Sequence, residues 1–236
     1  MDERLKEIAD NLDKLRIGVD EPFKFHCTTC GKCCFHREDI LLNPKDVYNI
    51  AKELGLTPQV MIEQYGETYI GGDSRMPIVR LKPRGSVQRC PLLKNRKCSV
   101  HKNKPAVCAM FPIGRCLKMD EKEVKDITTD DILYIFQNPG CGDDKETHTV
   151  REWLESFGMS VKDVFFIEWQ KTVTELCLIF RKAEKMLSHD TMEKVWLSAY
   201  VALYLRYNIN TDFLPQFEEN SQNLLDLMHT AFEGRL

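Results

Sequence analysis

Cys27-Thr28-Thr29-Cys30-Gly31-Lys32-Cys33-Cys34 puts four thiols into eight consecutive residues. Cys27, Cys30 and Cys33 read C-x2-C-x2-C, a spacing that lets one turn of backbone aim successive sulfurs at a common centre. Gly31, in the middle, can take the positive φ that a tight ligand loop needs. Thiols crowded this way in a reducing compartment point to a metal, so this stretch organises the reading of the chain around it.

The 236 residues suffice for a real core, as one domain or as two closely packed lobes. Hydrophobic content of 43% and charged content of 29% describe an ordinary globular protein. A net charge of −3 argues against nucleic acid or an anionic membrane as the main partner. The N-terminal run Met1-Asp-Glu-Arg-Leu-Lys-Glu has no apolar signal-peptide core, and the longest apolar stretch, Val195 to Tyr207, is too short to span a bilayer. The expected location is cytoplasmic. Ten cysteines in a chain with this much ordinary core are then read as metal ligands rather than as a disulfide framework.

Working outward, Leu5, Ile8, Leu12 and Leu15 give residues 1–16 one apolar helical face, and Phe23 to Phe25 is a short extended approach to the cysteines. Asn43-Pro44 and Thr57-Pro58 each open a helix, the first ending at Gly55 and the second near Tyr65. Gly71-Gly72-Asp73 is a turn. Met76 to Leu81 and Val87 to Leu92 read as two strands of a hairpin that carries Cys90. Residues 117–137 read as a charged connector with an apolar patch at Ile132 to Phe136. From about residue 149, apolar stripes at helical spacing run through Phe165, Trp169, Leu176, Phe180, Met192, Ala199, Leu203, Phe217, Leu224 and Phe232. Cys177 falls within a stripe and reads as a small packed hydrophobe.

The expected fold class is therefore α+β and mainly helical: a cysteine-rich, metal-organised region with a short β-hairpin, packed against a C-terminal helical lobe. The boundaries are 1–22 for an N-terminal helix, 23–148 for the cysteine-cluster domain and 149–236 for the helical lobe.

Without Cys177, nine cysteines remain, at 27, 30, 33, 34, 90, 98, 108, 116 and 141. A dense group and a dispersed group are the usual way for one metal site to pin distant segments together. The adjacent Cys33-Cys34 pair is the most constrained. Neighbouring side chains diverge, so two sulfurs on one mononuclear metal would close a strained ring. Nine thiols suffice for two four-ligand sites with one spare, or, more simply, for one cluster with a structural disulfide or packed thiols. Spread ligands around a tight C-x2-C-x2-C favour an iron–sulfur cluster of the 4Fe–4S type, with Zn2+ as the alternative. His26, His36 and His101 lie near cysteines as further candidate ligands.

The run Cys27-x2-Cys30-Gly31-x-Cys33-Cys34, then Cys90-Pro91-Leu92, then Cys98-x9-Cys108-x2-Phe111-Pro112, resembles the CxxCxxCC cysteine-cluster family, a zinc- or iron-chelating domain also called YkgJ-type. The resemblance covers about residues 23–142. Pro139-Gly140-Cys141-Gly142 and Thr149-Val150-Arg151-Glu152-Trp153-Leu154 look like the continuation in longer members. It implies Cys27, Cys30, Cys33, Cys34, Cys90, Cys98, Cys108 and Cys141 as metal ligands and leaves Cys116 outside the pattern. His101, Lys104 and Ala109 stand where the family tends to have Tyr, Arg and Arg. The related flagellin lysine methylases share the motif.

Three functions follow: a metal-binding protein whose cluster serves redox or cluster-dependent chemistry, a cluster-dependent enzyme that modifies protein side chains, or a structural zinc module for protein contacts. The implied partner is a protein, as substrate or docking partner, and neither nucleic acid nor membrane. No nucleophile elbow, H-E-x-x-H helix or P-loop is present in the sequence. Asp130-Asp131 and Asp143-Asp144 read as solvated loop charges.

Overall fold

A computed structural model of the chain describes residues 10–35, 40–118 and 122–232. The fold is mixed α+β, with small antiparallel sheets among predominant helices. It divides into two compact units, each assembled from two stretches of chain: residues up to 32 with 106–167, and 33–105 with 168 onward. Among the described residues, no helix is long and apolar enough to cross a membrane.

In the first unit, α1 (Leu12–Leu15) leads into β1 (Arg16–Ile17) and β2 (Pro22–His26). The rest of the expected N-terminal helix, residues 1–9, lies outside the described residues. Within the stretch expected as a connector, the apolar patch Ile132–Phe136 is a strand. β8 (Ile113–Leu117) and β9 (Ile132–Phe136) pair antiparallel from Ile113↔Phe136 to Leu117↔Ile132, and β1 adds to the far edge of β9. The apolar patch at 132–136 is a strand because it has this partner. The partner hides in sequence because Gly114 and Arg115 interrupt its pattern. Gly114 is there for space, since a Cβ would sit 2.7 Å from the Ile135 side chain. β2 pairs separately with β10 (Asp143–Thr149), which runs straight into α5 (Val150–Glu155) through a Thr149–Glu152 capping box.

The core of this unit joins Phe23, Phe25, Ile113, Tyr134, Trp153 and Leu154, all buried. At its edge Arg115 makes an ion pair with Asp163 at 2.8 Å, with side chains only 5% and 13% exposed, and its guanidinium lies 3.8 Å from the Phe166 ring centre. That pair is taken out of water, so each charge depends on the other.

In the second unit, α2 (Pro44–Leu54) has the start and stop expected of it. Asn43 Oδ1 accepts from Asp46 N–H at 2.8 Å, Asp46 accepts from Asn43 N–H at 3.1 Å, and Gly55 closes the helix at φ 64°. α3 (Pro58–Tyr65) follows Thr57 as expected and feeds β4 (Gly66–Ile70). β5 (Pro77–Leu81) pairs with β4 and with β3 (Leu41–Leu42), not with residues 87–92. The expected second strand is absent because residues 85–88 form a tight loop with Gly85 and Gln88 at positive φ. The hairpin lies further on, as β6 (Leu93–Lys94) and β7 (Lys97–Cys98), turned by Asn95 and Arg96, both also at positive φ. Most of α6 (Val164–Ala183) belongs here, with α7 (His189–Tyr200), a π-helical turn at Val201–Leu205, and α8 (Phe213–Phe232). Their stripes pack as expected: Leu176, Phe180, Leu203 and Phe217 are at most 1% exposed. Cys177, by contrast, is only half-buried.

Replacing Asp163 by Ala strands a buried guanidinium and should cost about 3–5 kcal/mol in urea unfolding. The double change Arg115→Met, Asp163→Leu should recover the part of that loss due to the stranded charge, but not the part from the bond that Asp163 Oδ1 accepts from Phe166 N–H at 3.2 Å. A single variant as stable as the parent would show that the pair is not buried in solution.

Candidate metal centre

None of the ten cysteines is in a disulfide, and the eight expected ligands are exposed or half-buried rather than lost in apolar core. They divide evenly between the units: Cys27, Cys30, Cys108 and Cys141 in the first, Cys33, Cys34, Cys90 and Cys98 in the second.

In the first unit, strand pairing sets the ligand segments. His26 lies opposite Asp143 in the β2–β10 register, so Cys27 leaves one strand where Cys141 approaches the other. His26 Nδ1 meets Asp143 Oδ1 at 3.0 Å, which gives this histidine a carboxylate partner and a structural role at the strand ends. Lys32 Nζ donates to Gly140 O at 3.2 Å and so fastens the Cys27–Lys32 loop to the segment carrying Cys141. Thr29 and Gly31, at φ 53° and 76°, turn that loop. Cys108 sits on α4 (Ala106–Met110), whose last carbonyls, Ala109 and Met110, accept from Trp153 Nε1 at 3.2 and 3.1 Å. The Trp153 ring lies 5.6 Å from Phe25, and Phe25 lies 6.1 Å from Phe111. One aromatic cluster thus anchors the segments that deliver Cys27 and Cys108.

The second unit shows how the backbone prepares sulfur for metal. Cys33 and Cys34 lie on a 3₁₀ turn, and their sulfurs are 3.9 Å apart, closer than the divergence expected of neighbours. The tight turn folds both side chains to one side. Cys90 N–H donates to Cys34 O at 2.8 Å, tying the two segments together. Burial pushes the Cys90 thiol up, while hydrogen bonds from the backbone of Leu92 and Leu93 act the other way; nearby Cys98 and Cys33 add to the upward push. Burial likewise raises Cys98, opposed by a backbone hydrogen bond from Val100 and by the charge of Lys104. Backbone N–H groups aimed at cysteine sulfur stabilise thiolate, the form that binds metal. Within neither unit do three ligand atoms from the cysteines lie within 4.8 Å of one another among the described residues.

Cys116 is in β8, with its sulfur 3.8 Å from Leu133 O, inside the sheet. His101 is exposed, and partial desolvation and Lys104 lower its pKa. His36 lies outside the described residues. Asp143, read from sequence as a solvated charge, is the partner of His26. The signal missed was its place two residues after Cys141, facing the residue before Cys27. Trp153 was visible only as part of a motif, with nothing local to announce its two carbonyl acceptors.

Gly142 has φ 73°, and an added Cβ would meet His26 O at 2.5 Å; Gly140 has φ 61° and open space. Gly140→Ala should therefore cost about 1–2 kcal/mol for the left-handed backbone, and Gly142→Ala clearly more in denaturant unfolding. Equal losses would mean that β2 does not hold the Cys141 segment this closely.

Residues 26–131 match the family model CxxCxxCC, described as "Putative zinc- or iron-chelating domain". No curated protein and no solved structure matches the chain. The matched span takes in every cysteine of the expected set except Cys141. Thiols free of disulfides, grouped by strand pairing and served by backbone donors, fit the description of the family model that residues 26–131 match.

Proposed function

We propose that the chain is a metal-binding cysteine-cluster protein that holds iron–sulfur centres, one on each set of four thiols, and uses them in redox or cluster-dependent chemistry. The observation that carries this reading is the even division of eight thiols between two units. Four thiolates are the full complement of one cluster or one closed zinc site.

The spread of the thiols along the sequence around a tight C-x2-C-x2-C favours the cluster. Four thiolates on one zinc, each about 2.3 Å from the metal, must stand about 3.8 Å apart along every edge of a tetrahedron. Cys33 and Cys34, 3.9 Å apart, meet that distance. A polynuclear centre binds each thiolate to a different iron and so takes sulfurs set wider apart. When bound, such a cluster supplies one-electron chemistry. The chain's own contribution is to hold the thiolates, to donate N–H groups from Leu92, Leu93 and Val100 to the second set, to keep the charge of Lys104 near Cys98, and to tie the Cys27–Lys32 loop to the Cys141 segment through Lys32.

Metal content of quartet variants tests the assignment. Cys108→Ser should remove one centre and leave the other, and Cys90→Ser should do the converse, each lowering metal per chain to about half. The double variant should bind none. If either single variant keeps full metal, that residue is not a ligand; if either loses all metal, the thiols form one centre rather than two.

A further inference from the structure

The second unit carries a cationic cavity that metal binding does not use. From Ser74 to Met119 the chain has no Asp or Glu, against twelve Lys and Arg, in a protein whose net charge is −3. Within this stretch Arg84 and Arg89 exchange backbone hydrogen bonds of 2.8 and 2.9 Å and close the loop Gly85–Gln88. That loop and the Asn95–Arg96 turn line an open cavity, with Phe35, Val87 and Leu93 as its apolar surface and Ser86 and Asn95 as neutral donors.

The arginines of this cavity differ from others in the same unit. Arg75 is paired with Glu184, and Arg80 with Glu67 at 2.7 Å. Arg84 is oriented by a 3.0 Å bond to Gln64 O and by the Tyr65 ring, contacts that leave its charge uncompensated. Arg89 and Arg96 have no carboxylate partner among the described residues. Three guanidiniums around one cavity repel each other, and a multiply charged anion is the ligand that relieves this. Guanidinium forks match phosphate oxygens in pairs. The Phe35 ring beside them offers a face to a flat apolar group.

We infer that this cavity binds a small phosphate-bearing ligand with an aromatic portion, of the nucleotide class. Arg84, Arg89 and Arg96 hold the phosphates, and Phe35, Val87 and Leu93 hold the ring. The site lies next in sequence to Cys34 and Cys90, so a ligand there sits beside the second set of thiols. The inference does not require iron or zinc to be the metal.

The test uses the full, metal-loaded chain with two probes, inorganic pyrophosphate and a fluorescent nucleoside triphosphate. Both should bind saturably and more weakly as salt rises, with the nucleotide tighter. The double variant Arg89→Gln, Arg96→Gln should weaken both by at least about tenfold, with metal content unchanged, and Phe35→Ala should weaken only the nucleotide. Unchanged metal keeps this result separate from any failure of the ligand-thiol assignment. No saturable binding of either probe, or binding indifferent to the arginine substitutions, overturns the site. Pyrophosphate binding as tightly as the nucleotide overturns the aromatic part. A single-stranded oligonucleotide that displaces the nucleotide at lower concentration overturns the small-ligand assignment in favour of a nucleic-acid surface.

Discussion

The indole of Trp153 does two jobs that the first set of thiols depends on. Its ring fills the space against Phe23 and Phe25 on β2, and its N–H caps the end of α4 through Ala109 and Met110. Buried aromatic packing fixes the strand that ends at Cys27, and one directional hydrogen-bond donor fixes the short helix that carries Cys108. A five-residue helix has too few internal hydrogen bonds to stand alone. It keeps its place because a core residue from a later helix holds its carbonyls.

The same logic, worked with backbone rather than side chain, runs through the second set. Cys33 and Cys34 are brought to Cys90 by a peptide hydrogen bond, and Cys90 and Cys98 each receive backbone donors from the residues that follow them. Turns with positive φ make this possible: the loop before Cys90 and the turn before Cys98 each need residues in the left-handed region. Irregular backbone is what the site consists of, which is why this part of the chain has little regular structure.

Much of this was readable in the sequence, and the failures have physical reasons. Helices with a side-chain cap and a proline start, at Asn43-Pro44 and Thr57-Pro58, were legible because their signals are local. The stripes of the later helices were legible because periodicity marks burial. The strand at 113–117 was not, because its pattern is broken by a glycine whose reason lies across the sheet in Ile135. The strand expected at 87–92 failed because two positive-φ residues, one of them the non-glycine Gln88, override its apolar run. For the site, the candidate thiols were countable from spacing, but their grouping was not. The two units interleave along the chain, with the cut falling between Lys32 and Cys33, inside the C-x2-C-x2-C run whose spacing points to a common centre. Likewise the role of Asp143 and the convergence of Arg84, Arg89 and Arg96 come from pairing and loop geometry, which composition does not encode.

The most direct measurement is of iron and acid-labile sulfide in the chain purified without oxygen, read together with its visible spectrum. The account predicts a brown protein with iron and sulfide in comparable amounts and enough of both for two centres per chain. A colourless protein carrying stoichiometric zinc and no sulfide would contradict it and would make the thiols a structural zinc module.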